Sequence, residues 1–305
     1  MTMTKTLVTF FIIALFNPLY AKNIEQHSKT KTIGIVSGSI GGTYARFAQD
    51  LATATFDIEK FRVLPIISTG SVQNISDLLW LSNVDVAIIQ SDVLTAAREI
   101  DLTNDITNKI SYIAKLYNEE FHVLVRNDIR GIKELNGKNV SIGPKGSGTA
   151  MSASTIFDSF DLEIRKHYLS NDAAIDKLDA GEIDAAVMLS GKPSSTLLKV
   201  PAKNNYKILT LNLDKQLSAL GYGSSALSDL DYPNLIPEGQ TIETISVDSI
   251  LAAYNWKKDT NRYKRINEFK ETLSSLLPIL QSDQGYHQKW KTVDLNSKVK
   301  GWNKF

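Results

Sequence analysis

The sequence predicts an α/β protein built from two similar lobes that face each other. Buried strands alternate with amphipathic helices along the chain, and a loop of small residues joins each strand to the next helix. This alternation is typical of parallel sheets that are covered by helices on both faces. The predicted strands are residues 32–36, 61–67, 84–89, 139–142 and 185–189.

The two halves of the chain also share a pattern. The segment Asp85-x-Ala87-x-x-x-Ser91 recurs with the same spacing from Asp184 to Ser190. Each copy follows a glycine-rich loop that ends in threonine, at Thr43 in one half and Thr149 in the other. Because ligands of open α/β sheets bind at the carboxyl ends of the strands, two such lobes would form a binding cleft between them.

The composition describes a globular and nearly neutral chain. Its 305 residues include 34 Lys+Arg, 33 Asp+Glu and no cysteine, and 43% of them are apolar. A nucleic-acid-binding protein would usually carry a basic excess, so nucleic acid is not an expected partner. Without thiols the chain forms neither disulfides nor thiolate metal sites.

The first 21 residues have the features of a secretory signal peptide. Lys5 supplies the positive charge, residues 7–16 form an apolar run, and Ala21 offers a cleavage site. The run is shorter than the roughly 20 residues that span a bilayer, and no cysteine follows it for a lipid anchor. We therefore expect a periplasmic protein that is cleaved near Ala21 and carries no lipid anchor; the alternative is a short N-terminal anchor helix.

The glycine-rich loops are candidate anion sites. A loop of small residues that opens a helix exposes backbone N–H groups at the positive end of the helix dipole. Serine and threonine in such loops can add hydrogen bonds to a ligand, or they can simply cap the helix. Lys145 and Lys192 lie in two of the second-lobe loops, where they either pair with an anionic ligand or remain solvated on the surface.

Motifs for catalysis and for cofactors are missing. Residues 143–149 have the length of a phosphate-binding loop but lack its lysine, and residues 38–42 do not form a dinucleotide fingerprint. The four histidines are scattered, and no G-x-S-x-G segment is present. We expect neither catalytic residues, a metal site nor a cofactor, although an exported hydrolase stays open as a third interpretation.

Four segments in the same order resemble one family. Residues 37–44, 68–74, 85–92 and 141–149 are similar to the corresponding segments of the TAXI family, the extracytoplasmic solute receptors of one class of TRAP transporters. The resemblance implies a two-lobed periplasmic binding-protein fold of type II topology, with a hinge and a cleft between the lobes. It also implies that a small carboxylate, such as an amino acid or another organic acid, is bound in the cleft and passed to TRAP-type membrane permease subunits. We expect a monomer.

The resemblance also places the ligand-binding loops, and we interpret the mature chain as two α/β lobes. Lobe I is predicted to comprise residues 32–117 and 214–305, and lobe II residues 118–213. A sensory module that engages a membrane signalling protein is the alternative function. Including the two lysines, the candidate ligand-binding residues are Gly41, Gly42, Thr43, Tyr44, Gly70, Ser71, Gln90 and Ser91 in lobe I, and Lys145, Ser147, Gly148, Thr149, Ser190, Gly191 and Lys192 in lobe II.

Overall fold

A computed structural model describes residues 31–56, 58, 61–93, 106–201 and 205–305. The predicted signal peptide, residues 1–21, lies outside them. The first part of the chain contains β1 (Lys31–Val36), α1 (Thr43–Ala54), β2 (Phe61–Ile66), α2 (Ser71–Trp80), β3 (Val86–Gln90), α3 (Ile106–Lys109) and β4 (Ile110–Arg126).

The remaining elements follow β4 along the chain. The middle part contains a 3-10 helix (Ile132–Leu135), β5 (Asn139–Ser141), α4 (Gly148–Ser159), β6 (Arg165–His167), α5 (Asn171–Asp179), β7 (Ala185–Ser190), α6 (Ser195–Leu198), β8 (Tyr206–Ile208), α7 (Lys215–Ala219) and β9 (Gly223–Ser228). The last part contains β10 (Thr241–Tyr254), α8 (Asn261–Ser282) and a second 3-10 helix (Gln288–Thr292). The predicted strands are present, with ends that differ by one or two residues.

A single mixed sheet runs through the molecule. Its strand order is β2-β1-β3-β10-β4-β7-β5-β6, with β9 paired to β10 and β8 paired to β4. β1 is parallel to β2 and β3, and β5 is parallel to β6 and β7. β10 and β4 are antiparallel to each other and to the neighbours β3 and β7. The predicted parallel sheets therefore form the two outer parts, and an antiparallel pair joins them.

Burial follows from the residue pattern of each element. Every residue of β3 is buried, as expected for a parallel strand that is covered on both faces. In α1 the buried apolar residues Tyr44, Phe47, Ala48 and Leu51 recur at helical spacing and pack on the sheet. The described helices include none with the length and apolar character to cross a bilayer.

The two long strands cross from one hydrophobic core to the other. On β4, Tyr117 packs in the core of the first lobe and Phe121 in the core of the second. On β10 the order is reversed, because Val247 packs in the second core and Leu251 in the first. From here on, the first lobe means the described residues within 31–117 and 249–305, and the second lobe means the described residues within 119–247.

This division differs from the predicted one at the second crossing. The sequence places the return to the first lobe near Leu213, but Leu217 and Tyr222 pack in the core of the second lobe. The return lies within β10, where Asp248 pairs with Asn118 of β4. The crossing in β4 at Asn118 and the crossing in β10 at Asp248 are therefore adjacent, because the antiparallel register pairs these two residues.

Candidate ligand site

Loops at the carboxyl ends of strands from both lobes meet in the cleft. β1 leads into α1, β2 into α2 and β5 into α4, and these three helices begin around one small cavity of about 80 Å³. We call it the inner pocket. It is lined by Gly38, Ser39, Gly42, Thr43, Tyr44, Thr69, Gly70, Ser71, Gln90 and Glu119 from the first lobe and the adjoining strand, and by Pro144, Ser147, Gly148, Thr149, Asn171, Leu189 and Ser190 from the second lobe.

Two of the three helices begin at the inner pocket without a side-chain cap. α1 and α2 are preceded by Gly42 and Gly70, which offer no side-chain cap. The first N–H groups of a helix have no acceptor within the helix, so these amides can bind an anionic or carbonyl oxygen. α4 is different, because Ser147 Oγ accepts a hydrogen bond from Ala150 N at 3.1 Å and caps it. Ser147 therefore has the capping role that the sequence left open.

Hydroxyl and amide groups form the floor of the inner pocket. Ser71 Oγ accepts a hydrogen bond from Gln90 N at 3.0 Å and donates to Gln90 Oε1 at 3.1 Å. The hydroxyl of Tyr44 lies 3.2 Å from Ser71 Oγ and donates to Glu119 Oε2 at 2.6 Å. These four side chains are buried, so their positions are fixed by one another.

Next to the inner pocket, the lobes are in direct contact. A Cβ atom added at Gly148 would lie 1.3 Å from Gln90 Oε1, which means that only glycine allows α4 to approach this closely. Across the same contact, Gln73 N donates to Gly146 O at 3.2 Å and Gln90 Nε2 donates to Ser152 Oγ at 2.9 Å. We call this set of contacts, together with Asp92, the tight side of the cleft.

Asp92 continues the tight side below Gln90. Its Oδ2 accepts hydrogen bonds from Ser152 Oγ at 2.6 Å and from Tyr222 OH at 2.9 Å, and both donors belong to the second lobe. Burial raises the pKa of the Asp92 carboxyl to about 6, because the charged form loses its hydration, and the two donated hydrogen bonds oppose that rise. The carboxyl group thus links the end of β3 to two side chains of the second lobe.

A larger cavity opens on the other side of the inner pocket. This outer chamber has a volume of about 650 Å³ and lies between α1, the loop before α6 and the C-terminal segment at residues 284–288. Its wall shares Gly42, Thr43, Asn171 and Ser190 with the inner pocket. One hydrogen bond crosses it, from Ser195 Oγ to Gly41 O at 3.2 Å. We call this the open side of the cleft.

The structure brings most of the candidate residues together. The candidate residues that line the inner pocket are Gly42, Thr43, Tyr44, Gly70, Ser71, Gln90, Ser147, Gly148, Thr149 and Ser190, and the candidate Gly41 lines the outer chamber. Both lobes therefore contribute, as two facing lobes require.

Four of the candidate residues line neither cavity. Ser91 lies behind the pocket, where its carbonyl accepts a hydrogen bond from Trp302 Nε1 at 2.9 Å. Gly191 is buried against the ring of Tyr117. Lys145 is exposed on the loop before α4.

Lys192 differs most from its predicted position at the rim. Its Nζ donates to Ala226 O at 2.6 Å and to Asp231 Oδ2 at 3.0 Å, both within the second lobe. The long side chain is held there because two acceptors satisfy its charge away from the cleft. It is therefore a structural cation of the second lobe.

Glu119 is the main pocket residue that sequence reasoning missed. It lies in the middle of β4 and only 4% of its surface is exposed. Burial raises the pKa of its carboxyl to about 8, and the hydrogen bond from Tyr44 opposes the rise. The available signal was a pair of adjacent acids, Glu119 and Glu120, in the middle of a strand of 17 residues that has apolar residues on both sides of the pair. A charged residue is rarely buried without a partner or a role.

The described residues contain no group of three or more potential ligands that could hold a metal ion. His122 illustrates the reason, since it lies in the core of the second lobe with Nε2 2.8 Å from the hydroxyl of Tyr232 and Nδ1 3.2 Å from Met188 O. Burial lowers the pKa of His122 to about 4, so the ring stays neutral at physiological pH. It is a hydrogen-bonded core residue and not part of the cleft.

Known proteins share this architecture. A protein from Bordetella bronchiseptica RB50 superposes with a TM-score of 0.56 at 13% identity, over 86% of this chain and 77% of that chain. A periplasmic transporter superposes with a TM-score of 0.50 at 14% identity, over 79% of this chain and 82% of that chain. At such low identity the likeness concerns the fold alone, which is the two-lobed periplasmic binding-protein fold of type II.

A family model covers both lobes. It matches residues 35–289, from β1 to the second 3-10 helix, and so includes the inner pocket and the outer chamber. The chain belongs to the NMT1-like family.

Proposed function

We propose that this protein is a periplasmic solute receptor that captures a small carboxylate-bearing solute between its lobes and delivers it to a TRAP-type membrane permease. The observation that carries the proposal is the convergence of helix N-termini from both lobes on one small pocket. Amides from α1 and α2, together with the first amides of α4 that Ser147 does not cap, supply hydrogen-bond donors to a carboxylate, and the helix dipoles favour its charge. No bond in the solute is made or broken.

The mechanism follows from the two crossings in β4 and β10. Because these are side by side, the lobes can rotate about them as a hinge, as expected for domain closure around a ligand. A solute that contacts amides of both lobes binds the closed form better than the open form, so it shifts the equilibrium towards closure. The closed lobes then form the surface that a permease distinguishes from the empty receptor.

A ligand screen tests the capture of a solute. The purified mature protein is heated with amino acids, hydroxy and oxo acids, and uncharged sugars as controls. Binding to the native state raises the unfolding temperature. We expect carboxylates to raise it and sugars to leave it unchanged, with contraction in small-angle X-ray scattering for each active carboxylate. Stabilisation by sugars alone, or by no compound, would contradict the proposal.

A transport experiment tests the permease. Uptake of the radiolabelled solute identified by the screen is compared in cells with and without this protein. We expect uptake to depend on the protein and on an ion gradient. Normal uptake without it, together with a lost transcriptional response to the solute, would favour the sensory module instead.

A further inference from the structure

We infer that the solute carries an ammonium group beside its carboxylate, and that Glu119 binds this group. The inference rests on the proposed function, because it names the chemistry of the solute in the same pocket. It separates α-amino acids from the hydroxy and oxo acids that share their carboxylate and their size.

Glu119 is a buried acid without a cation. Its carboxylate lines the inner pocket and accepts one hydrogen bond, from Tyr44 OH to Oε2. Within the described residues it takes part in no ion pair, since the nearby cation Lys289 is paired with Glu120. A buried carboxylate is stable in its charged form only when a cation or several donors compensate it.

The neighbouring acid shows the contrast. Glu120 accepts hydrogen bonds from Lys289 Nζ at 2.8 and 3.1 Å and from Lys192 N at 2.8 Å. Successive side chains of a strand point to opposite faces, so Glu120 meets these donors while Glu119 faces the pocket. The protein therefore compensates the charge of Glu120 with its own donors, and the charge of Glu119 is left for the solute to compensate.

The charges around Glu119 support this assignment. An ammonium ion beside the ionised carboxylate would offset both the loss of hydration and the repulsion from neighbouring acids. These effects together keep the pKa near 8 in the absence of such a cation. The titratable or charged groups that face Glu119 are Tyr44 from α1, Tyr117 and Glu120 from β4, Asp92 from the end of β3, and Lys289 from the C-terminal 3-10 helix.

The two cavities fit the two ends of an amino acid. At about 10–15 Å³ for each water-sized group, the 80 Å³ inner pocket holds on the order of six non-hydrogen atoms. The ammonium nitrogen, Cα and carboxylate of an α-amino acid are of this size. The carboxylate then meets the amides of α1 and α2, the ammonium meets Glu119, and the side chain passes Thr43 and Asn171 into the outer chamber.

Matched pairs of probes test the inference on the unmodified protein. Calorimetry compares L-alanine with L-lactate, L-aspartate with L-malate, and L-glutamate with L-2-hydroxyglutarate. In the pair that binds, we expect the amino acid to bind at least about 30-fold more tightly, because only its ammonium group carries a positive charge that compensates the buried Glu119 carboxylate. Equal binding, or tighter binding of the hydroxy acid, would overturn the inference and leave the proposed function intact. No binding by any probe would overturn both.

The pH dependence gives an independent readout. Binding of an ammonium group requires the ionised form of Glu119, so affinity should rise by up to about tenfold per pH unit between pH 6 and 8 and then level off. Proton release should accompany binding at pH 7, seen as a dependence of the heat on the buffer. A protonated Glu119 that donates to a solute carboxylate would give the opposite result, with affinity falling above pH 8. That outcome would overturn the inference.

A variant completes the test. Glu119→Gln should lower the affinity for the bound amino acid by at least about 30-fold and remove its pH dependence, while binding of the hydroxy acid stays within about threefold. Glu243→Gln, which changes an exposed acid of β10, is the matched control and should bind as the unmodified protein does. Unchanged affinity in Glu119→Gln would contradict the inference, and the probe pairs decide it if this variant does not fold.

Discussion

The two sides of the cleft are closed by different means. On the tight side, α4 touches the end of β3 through Gly148 and Gln90, and Asp92 is enclosed by donors from the second lobe. On the open side, the outer chamber separates α1 from the loop before α6, and one exposed hydrogen bond from Ser195 crosses it. Buried polar contacts are stronger than exposed ones and cost more when they are broken. The free energy of closure should therefore be concentrated on the tight side.

The largest expected effect is that of Gly148→Ala. The added Cβ would displace the side chain of Gln90 from its hydrogen bonds with Ser71 and Ser152, so the lobes could not close fully. Since the solute needs both lobes, we expect calorimetry to show an affinity lowered by on the order of 100-fold, about 3 kcal/mol. The control is Gly131→Ala, where an added Cβ meets nothing within 4 Å. An equal loss in both variants would contradict the role of close approach.

A smaller effect is expected for Asp92→Asn, and it should depend on pH. Because the pKa of Asp92 is raised in the folded protein, its protonated form stabilises the fold fully below pH 4, and this contribution is lost as the pH rises through about 6. The variant lacks this change. We expect its stability deficit, measured by urea unfolding, to be largest at pH 4 and smaller by on the order of 2 kcal/mol at pH 7.

The result that would contradict this prediction is a deficit that stays constant between pH 4 and 7. No second variant is needed as a control, because the stability of Asp92→Asn is compared with that of the unmodified protein at each of the two pH values. The raised pKa of Glu119 adds a similar fall in stability up to about pH 8 in the unmodified protein. Because the charge of Asp92 contributes to that raised pKa, the fall is smaller in the variant, and the stability deficit therefore shrinks further in the same direction as the pH rises.

The smallest effects are expected on the open side and behind the pocket. Ser195→Ala removes one exposed hydrogen bond and should weaken solute binding by about threefold at most. Ser91→Ala should change affinity by less than about twofold, since Ser91 bonds through its backbone to Trp302 and Asp248 and does not line a cavity. A loss above tenfold in Ser195→Ala would show that the open side contributes more to closure than its contacts indicate. A loss above tenfold in Ser91→Ala would contradict its position behind the pocket.

The sequence was sufficient to predict the strands and the glycine-rich loops. These features are local, because strand burial and helix starts are encoded within a few neighbouring residues, as at Gly42-Thr43 and Gly70-Ser71. The convergence of the loops followed from a general property of α/β sheets. Most of the inner pocket could therefore be predicted before its geometry was known.

The remaining differences arise from contacts between distant parts of the chain. Lys192 is held by Asp231 and Ala226, which are more than 30 residues away, so no local pattern places its charge. Glu119 enters the pocket because β4 crosses between the lobes at that point. The second crossing differs from its predicted position near Leu213 for the same reason. Its position is set by the pairing of Asp248 with Asn118, which is 130 residues away in the sequence.

The wall shared by the two cavities has a kinetic consequence. In the closed form, a solute that leaves the inner pocket for the outer chamber passes Gly42, Thr43, Asn171 and Ser190. These residues would then govern the residence time of the solute, even where they add little to equilibrium affinity. Replacing Ser190 with a larger residue would lower the association and dissociation rate constants of the solute together.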